Sequence, residues 1–256
     1  MQQCRAVLSP ACGLSPACSA HALAFVSLPP RGVASIVFGS MLMWHIRDGR
    51  FGSNQLERLA AFNGMLTEWY DARPGSNRLP WICLLNITSD GWGDLSGPAI
   101  KAAMTKEATP FFADYAERFW AGGAEYEERM RAVVQCLKQF YDILGGQDLI
   151  MTPASLRKLR HTCTTFGQEF MRCREHARVQ GLLSWQITTK VHKMQHIPAQ
   201  ARMLNPKHIA CYIDESAIGT TTTVWKRSLK GKYKASASRN VLTKRVFGVL
   251  LRLEGI

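Results

Sequence analysis

His192 and His196 stand four residues apart, so on a helix both imidazoles fall on one side. This is the spacing of a metal pair. A metalloprotease motif needs Glu directly after the first His as general base; Lys193 stands there instead, which excludes that chemistry. Cys173 and His176 lie upstream, with fifteen residues between His176 and His192. Together the four resemble the ligand spacing of a small zinc finger. They depart from it in having His at the second position and in placing the first pair near the end of a long helix. Cys173 is therefore expected in the core and the histidines at the surface. No metal or other cofactor is expected.

Asp214 and Glu215 are the only adjacent acidic pair in the last hundred residues. Paired carboxylates can hold Mg2+ in a nuclease or transferase. Such sites need further carboxylates, and residues 129–256 supply only Asp142, Asp148, Glu169, Glu175 and Glu254 besides these two. Charge at a helix N-terminus is the plainer expectation for them. Asp90 and Asp94 do not continue into a calcium loop, so Ser89–Asp94 is expected to be a turn. The chain has no GxxxxGK[ST] loop, GxGxxG after a strand, GxSxG elbow or kinase signature. A non-catalytic role is expected.

A different chemistry lies in the cations. Between Lys226 and Arg252 there are nine basic residues and no acidic one. Lys226, Arg227, Lys230, Lys232 and Lys234 are interleaved with Trp225 and Tyr233. Cations that neutralise phosphates, beside rings that stack on bases, are the chemistry of nucleic-acid contact. The same cluster resembles a nuclear-import signal. Residues 1–128 hold 10 basic and 12 acidic side chains, whereas residues 129–256 hold 22 and 7, so the whole excess of the +13 charge is in the second half. That asymmetry suggests DNA, RNA or an anionic surface as partner, against the plainer reading of a solvated basic face.

The elements that must position these groups are helical. Tyr126, Met130, Val133, Leu137, Phe140 and Leu144 step by four and three and are followed by Gly145-Gly146. Thr152-Pro153 supplies an N-cap and a first-turn proline for a second seam, Leu156, Leu159, Cys163, Phe166, Phe170, Cys173 and Ala177. Two such helices with a short connection predict an antiparallel hairpin over 124–181. The polar side of the second helix carries Arg157, Lys158, Arg160, Arg172, Arg174 and Arg178 against Glu169 and Glu175, with Arg174 and Arg178 on one face. A helix is expected over Gln55–Tyr70, a buried strand or extended core segment over Trp81–Ile87, and two helices at Pro98–Lys106 and after Pro110. The run Val33–Trp44, interrupted by Gly39 and Ser40, is shorter than the roughly 20 apolar residues of a membrane span.

Residues 1–32 repeat Leu-Ser-Pro-Ala-Cys, are poor in acids and close on Pro29-Pro30, which reads as a disordered leader. The eight cysteines are dispersed with no CxxC, as in a reducing intracellular compartment. Asn86-Ile87-Thr88 matches a glycosylation sequon without secretory context.

From Trp185 to Glu254, the landmarks Val191–His196, Asn205-Pro206, Asp214-Glu215-Ser216 and Gly219-Thr220-Thr221 resemble multicopy proteins of dinoflagellate algae. The resemblance implies a mobile-element origin and assigns no functional residue. The expected molecule is mainly α: a bundle-like domain with an antiparallel helical hairpin. Its parts are a leader (1–32), a helical and irregular part (33–123) and a basic helical part (124–256). Its expected function is non-catalytic nucleic-acid binding, through Arg174, Arg178, Trp225, Lys226, Arg227, Lys230, Lys232, Tyr233 and Lys234. A metal-dependent nuclease or transferase using Asp214 and Glu215, and a protein–protein interaction module, are the alternatives.

Overall fold

A computed structural model of the chain describes residues 30–73, 77–89, 91–201 and 204–209. The chain divides into two units, Met1–Ile209 and Ala210–Ile256. Leader residues 1–29 lie outside the described residues. So do Asp214, Glu215, Trp225, Lys226, Arg227, Lys230, Lys232, Tyr233 and Lys234.

Helix α1, Pro30–His45, opens the described part. Ala34, Val37, Phe38, Met41 and Leu42 are all buried, and so are Ser35 and Ser40. Apolar and small residues surround α1 on every side, so it sits inside other elements rather than on them. It begins at Pro30, which takes residues 30–32 out of the expected leader. Helix α2, Gln55–Asp71, starts at Asn54, whose side chain accepts from the Glu57 N–H. Between α2 and the next helix the chain is mostly irregular. A two-residue antiparallel pair, β1 (Thr88–Ser89) with β2 (Trp92–Gly93), interrupts it where a simple turn was expected.

Over Trp81–Ile87, where a buried strand or an extended core segment is expected, no strand forms. Leu84–Asn86 is a 3-10 turn, Ile82 and Ile87 are buried, and Trp81 and Leu85 stand 66% and 86% exposed. Asn86 of the sequon is occupied locally: Oδ1 accepts from the Cys83 N–H and Nδ2 donates to the Ser96 carbonyl.

Helix α3, Ala102–Trp120, passes straight through Pro110. Two helices were expected there, because proline lacks the N–H that bonds the carbonyl four residues back. Core packing on both sides of the proline overrides that loss. Thr105 and Ala108 before it, and Phe111, Phe112, Tyr115 and Ala116 after it, are buried, and Phe112 stacks on Phe38 of α1 with ring centroids 3.8 Å apart.

Helix α4, Glu125–Gly145, and helix α5, Pro153–Val179, form the expected hairpin. Tyr126, Met130, Val133, Leu137, Phe140 and Leu144 are buried together with Leu159, Cys163, Phe166, Phe170, Cys173 and Ala177. Leu156, expected among them, is only partly buried at the edge of the seam. Thr152 caps α5 by accepting from the Ser155 N–H. Helix α6, Thr189–Ala201, lays Val191, Met194, Ile197 and Ala201 on the same core. A short helix α7, Pro206–Ile209, follows Asn205. Buried Asn205 directs Nδ2 at the carbonyls of Leu144, Gln147 and Asp148, satisfying acceptors left open where α4 ends.

One core runs from α1 to α6, so the expected boundary at 123/124 does not divide it. Gly39 allows the close approach of the residue after β2 to α1: a Cβ there would lie 2.3 Å from the Asp94 nitrogen. Among the described residues no helix is long and apolar enough to cross a membrane.

Candidate functional site

The inward seam of α5 fixes which residues of that helix face water. With Leu159, Thr162, Cys163 and Phe166 buried, Arg157, Lys158, Arg160 and His161 are exposed over the first turns. The first turn of α5 contains no acidic residue. Arg157, Lys158 and Arg160 make no salt bridge among the described residues. The macrodipole adds its positive end to the same region.

Further along α5 the cations are engaged. Arg172 meets Glu169 at 2.5 Å. Arg178 grips Glu175 through Nε at 3.0 Å and Nη2 at 2.7 Å. Those hydrogen bonds from Arg178 hold the Glu175 carboxyl below its ordinary range. Arg174 is half-buried. Arg174 and Arg178, the two α5 cations expected to touch phosphate, are therefore less available than Arg157, Lys158 and Arg160 nearer the start of the same helix. Sequence alone placed all six on the polar side; the acids three residues from Arg172 and Arg178 were the signal that separates them.

Cys173, His176, His192 and His196 do not converge. Among the described residues no group of three or more His, Cys, Asp or Glu side chains could hold a metal ion. Cys173 is wholly buried, and burial pushes its thiol well above the ordinary value. Burial likewise pushes Cys163 up to about 12 and Cys136 up to about 11. A thiol held protonated is a poor nucleophile. The His176 ring stacks on Tyr126, centroids 4.1 Å apart. The Tyr126 hydroxyl in turn accepts from Trp185 Nε1 at 2.7 Å, so His176 belongs to the packing around Trp185. Trp185 itself is wholly buried and sits at φ 60, with its backbone N–H donated to Ser40 Oγ. His192 and His196 remain together on α6, both exposed, with Nε2 atoms 3.0 Å apart.

Two further polar groups escaped sequence reasoning because their partners are distant in the chain. Trp44, Arg47, Asp48, Gly49, Arg50 and Glu127 line a cleft of about 440 Å³. There Arg50 bonds Asp48, Glu127 and the Phe119 carbonyl, and Trp44 Nε1 donates to Glu127. Burial pushes the Asp48 carboxyl up, but the hydrogen bonds and charge of Arg50 outweigh it and hold the group below its usual value. With both carboxylates gripping Arg50, the cleft ties the ends of α1 and α3 to the start of α4 and offers little to an anion.

Buried His45 is the second group. Nε2 lies 2.8 Å from the Arg58 carbonyl, which can only accept, so Nε2 carries the proton. Nδ1 then accepts from the Tyr115 hydroxyl at 2.5 Å. Burial lowers the His45 pKa and raises that of Tyr115, which keeps both neutral. The chain matches no protein-family model, no curated protein and no solved structure.

Proposed function

We propose that the chain is a non-catalytic nucleic-acid-binding helical module. Arg157, Lys158 and Arg160 on α5 and the Lys226–Lys234 cluster contact phosphate, and Trp225 and Tyr233 stack on bases. The observation that carries this reading is the set of exposed α5 cations without carboxylate partners among the described residues. Ion-paired arginines elsewhere have already exchanged solvent for a carboxylate. The exposed α5 set has made no such exchange, and its contact with phosphates would release the counterions condensed on a polyanion. Contacts of this kind are electrostatic and tolerate sequence.

The test is a salt-series titration of the whole chain with single- and double-stranded DNA and RNA, with and without Mg2+. Binding should weaken steeply with salt and should not depend on Mg2+. Neutralising Lys226, Arg227, Lys230, Lys232 and Lys234 should make the slope of log affinity against log salt shallower by about 4 to 5 units on duplex DNA. Trp225→Ala should weaken single-strand binding by about 1–3 kcal/mol. Unchanged slopes in folded variants overturn the proposal, and Mg2+-dependent cleavage lost in Asp214→Ala replaces it with a nuclease.

A further inference from the structure

The histidine pair of α6 stands together without Cys173 and His176. Val191, Met194, Ile197 and Ala201 anchor one side of α6 in the core. The helix start is fixed by Thr188, whose carbonyl accepts from the His192 N–H at 3.1 Å and whose hydroxyl accepts from the Val191 N–H. Gln195 is pressed against Gly167 of α5, where a Cβ would come within 2.7 Å of its amide. The helix is held in register by these contacts, and that register leaves His192 and His196 in solvent on one side.

The separation of the two Nε2 atoms, 3.0 Å, has a definite meaning for an ion bound to both. With metal–nitrogen distances of about 2.0–2.1 Å, it corresponds to an N–metal–N angle of about 91–97°. That is the cis angle of a square-planar or tetragonal centre. A tetrahedral angle would need the nitrogens a few tenths of an ångström further apart. A cis pair of imidazoles suits Cu2+ and Ni2+, and Cu2+ heads the affinity order of the divalent first-row ions. The rings are inclined at 74°, so both can turn a nitrogen toward one point beside the helix without stacking. In the absence of an ion, a proton on one Nε2 bridges to the other at the same distance.

We propose that His192 and His196 form a two-imidazole clamp for a tetragonal divalent ion, Cu2+ before Ni2+, with water or an oxygen donor of another molecule at the remaining positions. The clamp is open because no third His, Cys, Asp or Glu joins it among the described residues. It does not depend on the nucleic-acid reading, since α6 alone supplies both ligands.

The experiment titrates CuCl2 into the full chain and follows bound ion by electron paramagnetic resonance, with pulsed detection of imidazole nitrogens. One site with two equatorial imidazoles is expected. His192→Asn and His196→Asn should each weaken that site about 100-fold, because the second imidazole binds at high effective concentration. Both side chains are exposed, and unchanged circular dichroism verifies that the variants fold. Zn2+ should compete poorly. A site that persists in the double variant, a loss of less than about threefold in either single variant, or Zn2+ binding as tight as Cu2+ overturns the assignment.

Discussion

The helices from α1 to α4 and the first half of α5 use the same cations to opposite ends. In the first region five cations have a carboxylate in contact, Arg50 with Asp48 and Glu127, Arg78 with Asp71, Arg129 with Glu125, Arg131 with Glu117 and Glu128, and Lys138 with Asp142, while Arg47, Arg58, Lys101, Lys106 and Arg118 make no salt bridge among the described residues. On α5, Arg157, Lys158 and Arg160 have none among the described residues. The cause is the local supply of acids. Helix α4 opens with Glu125, Glu127 and Glu128, one or two turns from its arginines, whereas α5 offers no acid before Glu169. Charge summed over half a chain therefore does not locate a site. The informative feature is where the sequence withholds acids from a basic helix face.

This comparison requires α5 to be a rigid platform, and the largest effect comes from breaking it. Phe166, wholly buried in the seam, should cost about 3–5 kcal/mol when changed to Ala, read by urea denaturation. Any loss of nucleic-acid affinity in that variant should follow the unfolded fraction. The next effect falls on the paired region. Glu127→Ala leaves Arg50 with only Asp48 and the Phe119 carbonyl and removes the acceptor of Trp44 Nε1, and should cost about 1–3 kcal/mol in the same assay. It should leave the salt dependence of nucleic-acid binding unchanged.

A smaller, pH-dependent effect also belongs to the first region. The His45 imidazole has an ordinary value of 6.5 when unfolded and a lower one when buried. Between those values the unfolded chain binds the extra proton, so stability falls as pH drops below about 6.5. Asp48, depressed below its ordinary 3.8, adds its own loss only under more acidic conditions. Thermal unfolding at stepped pH should show the first loss, and His45→Gln should flatten it above pH 5.

The hairpin was legible because its two helices alternate core and solvent at steps of three and four. Its seam residues are buried as expected, apart from Leu156 at the edge. Helix α1 was not legible: Val33–Trp44 is apolar or small all round, so it has no periodicity to read, and its burial depends on neighbours remote in sequence. Pro110 and Trp81–Leu85 misled for related reasons. A proline is tolerated where packing on both sides of it is strong, and an apolar run shows neither strand nor exposure until its neighbours are placed. For the candidate site, the chemistry of α5 was visible but its pairing was not. Arg178 reads as available in the sequence, but Glu175 pairs with it in the fold. The Arg50–Glu127 tie spans 77 residues and left no local signal.

The most direct test sets two triple variants against each other. Arg78, Arg129 and Arg131 are changed to Gln in one, and Arg157, Lys158 and Arg160 to Gln in the other, so both lose three positive charges. The α5 variant should keep its stability to within about 0.5 kcal/mol, as exposed substitutions do. Its slope of log affinity against log salt on duplex DNA should become shallower by about 2 to 3 units. The paired-region variant should keep the wild-type slope while losing some stability. Equal slopes in the two variants would mean that only net charge matters, and would contradict the claim that the unpaired cations of α5 form the binding face.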